Sequence, residues 1–452
     1  MPRPIVPRIP PATAPSWLPI IGCYLAGVLA AAQLGKMSAL APLIAADLQL
    51  SLTTVAVAIS LIEVGGATLG VIAGALASRL GLAGSLLGSL LCLAVAGVGS
   101  GLAQGGPALL AWRLLEAVAY LGVVVTAPVL IVRAATAAGA GARVGPAMAL
   151  WSTFVPVGIA FGAWGWSQVA AVSDWRTAMW AGAGLSAAAL GVAAWSRWHG
   201  RRGTAPGASG GAVPVESTAR GPAPPAAGAA GPAAQAGHRA APPAAGLSRG
   251  GARVDTATWW LSASFGCYAL FEVGLLALLP LYLTREAGLS AAAAGRWAAL
   301  AALATIAGSA AAAWWMRRGG APRWPVLLAL FVPAAMLFGV FTEAPHAHAA
   351  AMLAVALNAI SGLYPSFAFA WLPRAAGGAA QLVRANGIFT QFGASGSLLG
   401  PPLMAGCVDR FGWASAPWLG LALTVPAAFF AMTALRRLRA HPPVRPAAVP
   451  RA

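Results

Sequence analysis

Charge is scarce in this chain: only 8% of its 452 residues are Asp, Glu, Lys or Arg, while 59% are hydrophobic. A soluble domain carries roughly a quarter charged residues, so this composition excludes a water-soluble globule and requires a surface that mostly faces lipid. Cysteine is scarce too. Cys23, Cys92, Cys267 and Cys407 lie scattered with no paired spacing, which speaks against a disulfide framework and a cysteine zinc site. Of the five histidines, His346 and His348 flank one residue in a turn and the others lie in the linker or near chain ends. They make no metal centre, and no histidine relay crosses an apolar span. Lysine occurs once, at Lys36, followed by Met37 inside an apolar run; without Gly-Lys-Ser/Thr there is no phosphate loop and no nucleotide-driven pump. No nucleophile constellation points to an enzyme, and no cofactor is expected. Glycines such as Gly65, Gly66, Gly70 and Gly74 within the apolar runs suit close helix contact in lipid and not the alternation of a β-barrel.

What is present is a pair of apolar blocks, residues 17–197 and 256–435, each long enough for six spans of about 20 residues with short turns. The expected spans are 17–45, 52–77, 81–103, 107–132, 145–171, 175–196, 257–283, 289–315, 323–342, 347–372, 381–405 and 412–434. The fold class is therefore an all-α membrane protein of twelve transmembrane helices in two six-helix bundles with pseudo-twofold symmetry. The first apolar run continues past residue 40 without a convincing cleavage site, so it is read as a retained span and not as a signal peptide. Between the blocks, residues 198–255 are Gly, Pro, Ala and Ser with arginines, the composition of a disordered tether; residues 1–16 and 436–452 are tails. The second block repeats the first. Gly22-Cys23-Tyr24 recurs as Gly266-Cys267-Tyr268, and the run Pro42-Leu43, Asp47, Leu50-Ser51 as Pro280-Leu281, Glu286, Leu289-Ser290, as a duplicated membrane domain would produce.

A net charge of +18 would suggest nucleic acid in a soluble chain, but in a membrane protein the placement of arginine decides. With a cytoplasmic amino terminus, Arg3, Arg8, Arg79, Arg133, Arg143, the linker and tail arginines, Arg317, Arg318, Arg323, Arg374 and Arg384 fall inside. Outer turns hold only Arg176, Arg285 and Arg410, each with an acid nearby (Asp174, Glu286, Asp409), while Asp47 and Glu343 stand there without a basic partner. An even span count puts both termini inside. The expected location is a bacterial inner membrane, as a monomer, with no nucleic-acid partner.

Between the second and third spans, Gly74-Ala-Leu-Ala-Ser-Arg79-Leu-Gly81 resembles the cytoplasmic loop signature of the major facilitator superfamily, with Ser78 where an acid is usual and without the usual basic pair after Gly81. In the fourth span, Arg113-Leu-Leu-Glu116-Ala-Val-Ala-Tyr120 is similar to that superfamily's second signature. Trp151, Pro156, Gly158 and Gly162, with Gly387, Gln391, Gly393, Gly396 and Gly400-Pro401-Pro402, resemble the branch containing cyanate and nitroimidazole permeases. The resemblance implies the major facilitator fold, a substrate site between two bundles near the midplane, and alternating access.

A charge at the bilayer centre costs roughly 2.5–3.5 kcal/mol on insertion scales, so Lys36, Glu63, Arg113, Glu116 and Glu272 each need a reason. Counted at about 1.5 Å per residue, Lys36, Glu63 and Glu116 lie at similar depth and are expected to meet across the amino-terminal bundle. Lys36, with Gln33 on its face, and Arg113, on one stripe with Glu116 and Tyr120, either form structural ion pairs or bind an anionic substrate. Glu63, Glu116 and Glu272 are the candidates for carrying a proton, against structural pairing. In the second block, Asn358, Ser361, Tyr364, Thr390 and Gln391 bond neighbouring helices or contact substrate, and Arg296 either snorkels or enters the cavity. The expected activity is secondary transport of a small organic or anionic solute, coupled to protons; the rivals are proton-driven efflux of drugs, metabolites or metal chelators, and a membrane sensor that moves nothing.

Overall fold

The computed structural model describes residues 17–69, 81–136, 144–151, 153–203, 254–319, 323–341, 346–376 and 379–440. Gly74, Ser78 and Arg79 of the loop signature, Glu343, the tails before residue 17 and after 440, and residues 204–253 of the linker lie outside them. The chain divides into two compact units, Met1–Ala194 with Val254–Ala452, and Trp195–Arg253. The second holds, among the described residues, only the last turns of a helix; the packing of helix on helix lies within the first.

The described residues form helices throughout, as they must where lipid offers no partner for backbone N–H and C=O groups. They are α1 (Leu18–Asp47), α2 (Leu52–Leu69), α3 (Leu82–Leu102), α4 (Gly106–Thr136), α5 (Val144–Trp151, then Phe154–Val172), α6 (Trp175–Gly203), α7 (Thr256–Arg285), α8 (Ala291–Arg317), α9 (Arg323–Val340), α10 (Ala347–Ala375), α11 (Ala379–Phe411) and α12 (Trp413–Arg439). Eleven are long and apolar enough to cross a membrane by one run of residues. The twelfth, α11, has ample length at 33 residues, but Gln381, Arg384, Asn386, Thr390 and Gln391 make its first half polar. Large apolar side chains such as Leu102, Val118, Trp418 and Phe429 stand exposed, a surface that suits lipid and not water.

The two halves superpose in sequence at a shift of 238 or 239 residues. Leu18 and Thr256 open α1 and α7, each of 30 residues. Ser51 and Ser290 cap α2 and α8 by accepting from the amides of Thr54 (3.1 Å) and Ala293 (3.3 Å), a cap that satisfies one orphan donor of the first turn. Asp47 accepts from the Trp175 indole N–H (3.1 Å) and Glu286 from that of Trp413 (3.0 Å). Gly81 (φ 81°) and Gly319 (φ 67°) take left-handed turns at the same place in each half, where a side chain would be strained. At this shift the Gly-Cys-Tyr match fails. Gly22 is the fifth residue of α1 and Gly266 the eleventh of α7, so this part of the expected repeat is coincidence, whereas the Pro-Leu to Leu-Ser part is structural.

The outer-turn charges also pair differently from their sequence neighbours. Asp47 is not without a basic partner: the Arg176 guanidinium donates to it at 2.9 Å. Asp174 instead accepts from the Thr177 amide (2.6 Å), and this backbone bond, chiefly, holds its carboxyl below the usual range. Asp409 accepts from the Thr53 hydroxyl at 2.8 Å.

Packing is tightest where glycines let backbones touch. α1 lies along α5 through Gly35, Gly158 and Gly162, and α7 along α11 through Gly274, Gly396 and Gly400; a Cβ at any of these would press on a facing carbonyl or main-chain atom. At the end of the bundle opposite the tails, one apolar core includes Met37, Leu40 and Ile44 from the first half with Leu275, Leu278 and Leu281 from the second. At the tail end each half keeps its own core, one around Ile20, Leu90 and Ile131 and the other around Leu261, Phe367 and Ala431.

Candidate functional site

Three ionisable side chains from two helices meet inside the first half. Lys36 on α1 donates from Nζ to Glu116 Oε1 of α4 at 2.9 Å, and Arg113, one turn before Glu116, donates to its Oε2. Lys36 is 1% exposed, Arg113 and Glu116 0%. Removing ions from water costs several kcal/mol each even after relaxation, so such a cluster persists only when its donors are used. Arg113 uses four of its five. Its Nε donates to the carbonyl of Ala58 (2.8 Å), and its terminal nitrogens to those of Ile59 (3.1 Å) and Gln33 (3.4 Å). A tight 3-10 turn at Leu61–Glu63 interrupts α2 directly after these carbonyls, where its bonding ladder changes register. The guanidinium fork thus ties α1, α2 and α4 together. Two cations share one carboxylate, and the cluster keeps a formal charge of +1.

Glu63 does not join it. Among the described residues it has no hydrogen-bond or ion-pair partner; it lies beside Gly66, where an added Cβ would stand 3.7 Å from its Oε2. The expected three-way meeting of Lys36, Glu63 and Glu116 therefore holds for two. Rise per residue sets depth, but the azimuth of Glu63 depends on the 3-10 turn, which changes the angular step.

Among the described residues the second half has no equivalent cluster. At the 238-residue shift, Lys36, Arg113 and Glu116 correspond to Gly274, Ala351 and Ala354, and Gly274 there packs on the backbone of Gly400. Its own acid is Glu272, 7% exposed. Ser361 donates to Glu272 Oε1 at 2.7 Å, whereas Oε2 is buried without a partner, as is Asn358 Oδ1. Asn358 Nδ2 donates back to Ala354 within its own helix (2.8 Å), and the Tyr268 hydroxyl to the Ser361 carbonyl (3.3 Å). Glu272, Ser361 and Asn358 thus form a small polar group with two free acceptors.

The remaining expected residues are placed as follows. Gln33 donates to Leu29 in its own helix at 3.1 Å, and Tyr120 packs in the tail-end core of the first half. Tyr364 is buried with its hydroxyl bonded to Ser264, which also donates to the Ala427 carbonyl (2.6 Å). Gln391 on α11 crosses to α2, donating to the Ala67 carbonyl at 2.9 Å. Arg296 stands exposed beside Gln168 (3.4 Å), and Thr390 is exposed. Among the described residues no group of three His, Cys, Asp or Glu could hold a metal.

Between the halves lies a cavity of about 50 Å³, walled by Leu34, Ile59, Ile159, Val273 and Leu276, with Ser38 as a polar wall residue. Ser38 donates across it, from α1 to the Ala277 carbonyl of α7 at 2.6 Å. Ser38, a single serine in an apolar helix, carries no sequence signal of its own, and Arg317 and Gly319 stand in sequence where Arg79 and Gly81 of the loop signature repeat. The 238-residue shift was the signal that would have found the latter two.

The model of the Major Facilitator Superfamily matches residues 23–382 and 261–451. A comparison with curated proteins finds no match. Among solved structures, the chain resembles a bacterial homolog of the human lysosomal transporter Spinster in its inward-facing, unoccupied conformation (TM-score 0.65, 15% identity, 94% of this chain and 98% of that one). It also resembles the nucleoside transporter NupG (TM-score 0.63, 12% identity, 92% and 99%). Helix count, duplicated halves, a cavity between them and the family match agree: the chain belongs to the Major Facilitator Superfamily and is a multi-pass membrane transporter.

Proposed function

We propose that the protein is a secondary active transporter that moves a small organic anion by alternating access, coupled to protons. The observation that carries this is the buried Lys36–Glu116–Arg113 cluster, whose net positive charge lies beside the cavity: Leu34 and Gly35, next to Lys36, line it. In a low-dielectric interior a single uncompensated charge is a strong attractor for a small anion. Arg113 is occupied by carbonyls and acts as the clamp. Lys36, a compact ammonium with one hydrogen bond, is the group free to turn toward substrate. The likeness to cyanate and nitroimidazole permeases supports an anionic solute. Proton carriage falls to Glu63 and Glu272, whose carboxylates keep unpaired oxygens and can be neutral in one state and charged in another. Glu116, held by two cations, is the acid less suited to that work.

The apolar core shared by the halves at the far end, against separate cores at the tail end, supports this reading, with the far end as the more tightly joined one. The placement of arginine supports the tail side as the cytoplasmic one; a bacterial inner membrane and a monomeric working unit are part of the same proposal. In proteoliposomes, uptake of a small organic anion should follow an imposed pH gradient, and E63Q or E272Q should abolish that response; transport indifferent to the gradient in both directions would sink the coupling. K36R should retain part of the anion flux and K36M lose it, and full activity in K36M would remove Lys36 from recognition.

The apolar wall of the cavity favours one second reading, proton-driven efflux of apolar drug-like compounds or metabolites. Cells expressing the protein would then resist such compounds, K36M would keep that resistance, and only the glutamate variants would lose it.

A further inference from the structure

A second cavity of about 50 Å³ opens at the tail end, between the start of α9 and the end of α12, and is lined by Arg323, Arg436, Arg439, Met432 and Leu435. It is unrelated to the transport path, since α9 and α12 pack on each other outside the cavity between the halves. Arg436 and Arg439 stand one turn apart on α12, and Arg323 opens α9 opposite them. None of the three has a hydrogen-bond or ion-pair partner among the described residues, and no acidic side chain lines the space. Three cations facing one hollow repel each other, an arrangement that persists cheaply only if an anion sits among them. The guanidinium fork matches the oxygens of a phosphate group.

Two features separate a lipid from a free phosphate. Part of the lining is apolar, Leu435, only 6% exposed, and Met432, so the space joins charge to hydrocarbon. Beside Arg323, Trp324 is 72% exposed, the position of an aromatic side chain at the boundary between headgroups and acyl chains. Basic pockets between helices at the arginine-rich side of a membrane suit anionic headgroups. We propose that Arg323, Arg436 and Arg439 bind the phosphodiester of an anionic glycerophospholipid, with its acyl chains running down the groove between α9 and α12.

The test uses the full chain, purified in detergent and depleted of lipid, titrated with phosphatidylglycerol, with phosphatidylcholine of the same acyl chains, and with glycerol phosphate. Native mass spectrometry reads occupancy and thermal melting reads stabilisation. Phosphatidylglycerol should bind saturably and raise the melting temperature, and phosphatidylcholine should bind at least tenfold more weakly. The pair R436Q/R439Q should lower phosphatidylglycerol affinity at least tenfold while its lipid-free melting is unchanged, because neither side chain has a hydrogen-bond or ion-pair partner to lose among the described residues. R410Q, an exposed arginine at the opposite end, should bind as the parent does and controls for net charge. Equal binding of the two lipids, or undiminished binding by R436Q/R439Q, overturns the site; glycerol phosphate that competes as well as the whole lipid overturns its assignment to a lipid.

Discussion

Glu116 is the residue on which the first half turns. It is, among the described residues, the one counter-charge for two buried cations, so E116Q leaves Lys36 and Arg113 buried and uncompensated, at a cost of about 3–5 kcal/mol. The expected result is a large fall in melting temperature of the purified protein, or its loss from the membrane fraction. K36M is milder, because Arg113 and Glu116 remain as a neutral pair. If E116Q melts no lower than K36M, the cluster is not what holds α1, α2 and α4 together. Glu63 and Glu272 are different in kind. Among the described residues they have oxygens without partners, so their glutamine variants should fold normally and reveal themselves in the response to a pH gradient alone.

At the scale of the element, glycine contact decides how near the helices come. G266V should destabilise, because a Cβ there would lie 3.1 Å from the Phe392 carbonyl, while G22V should be close to neutral, with nothing within 4 Å. Overpacking of this kind costs typically 1–3 kcal/mol, read as the difference in melting between the two variants. Equal effects would restore Gly22-Cys23-Tyr24 and Gly266-Cys267-Tyr268 as equivalent positions. The first turn of α6 offers a pH test. The Asp174 carboxyl is held below its usual range by the Thr177 amide, so the cap is complete above the unfolded-state pKa and is lost as pH falls through the lowered value. In D174A the Thr177 amide should exchange hydrogen faster at neutral pH, and the parent should approach that rate only in acid.

On the scale of the whole molecule, the halves meet at one end through the shared apolar core and through cross-ties such as Ser38 to Ala277, Gln168 to Ala292 (3.2 Å) and Thr53 to Asp409. Alternating access requires that this end open. In a variant lacking the four native cysteines, T53C/D409C should cross-link under oxidation, arrest transport, and recover when reduced. Transport at full rate with the bridge intact would show that the far end need not part, and the rocking mechanism would fall.

The hydropathy of the chain determined by itself that this is a helical membrane protein with two blocks of six spans, because lipid tests each segment separately for apolar length and for unsatisfied backbone. The same local logic marked Lys36, Glu63, Arg113, Glu116 and Glu272, since the cost of burying a charge belongs to the residue and its flanks. Only the tertiary structure decided the partners. Lys36 and Arg113 converge on Glu116 and leave Glu63 apart, Asp47 takes Arg176 from its neighbour Asp174, and one half of the sequence repeat is in register while the other is not. Depth along a helix can be counted from residues; azimuth, helix contact and the closure of one end depend on how separate helices pack, and no single segment carries that information.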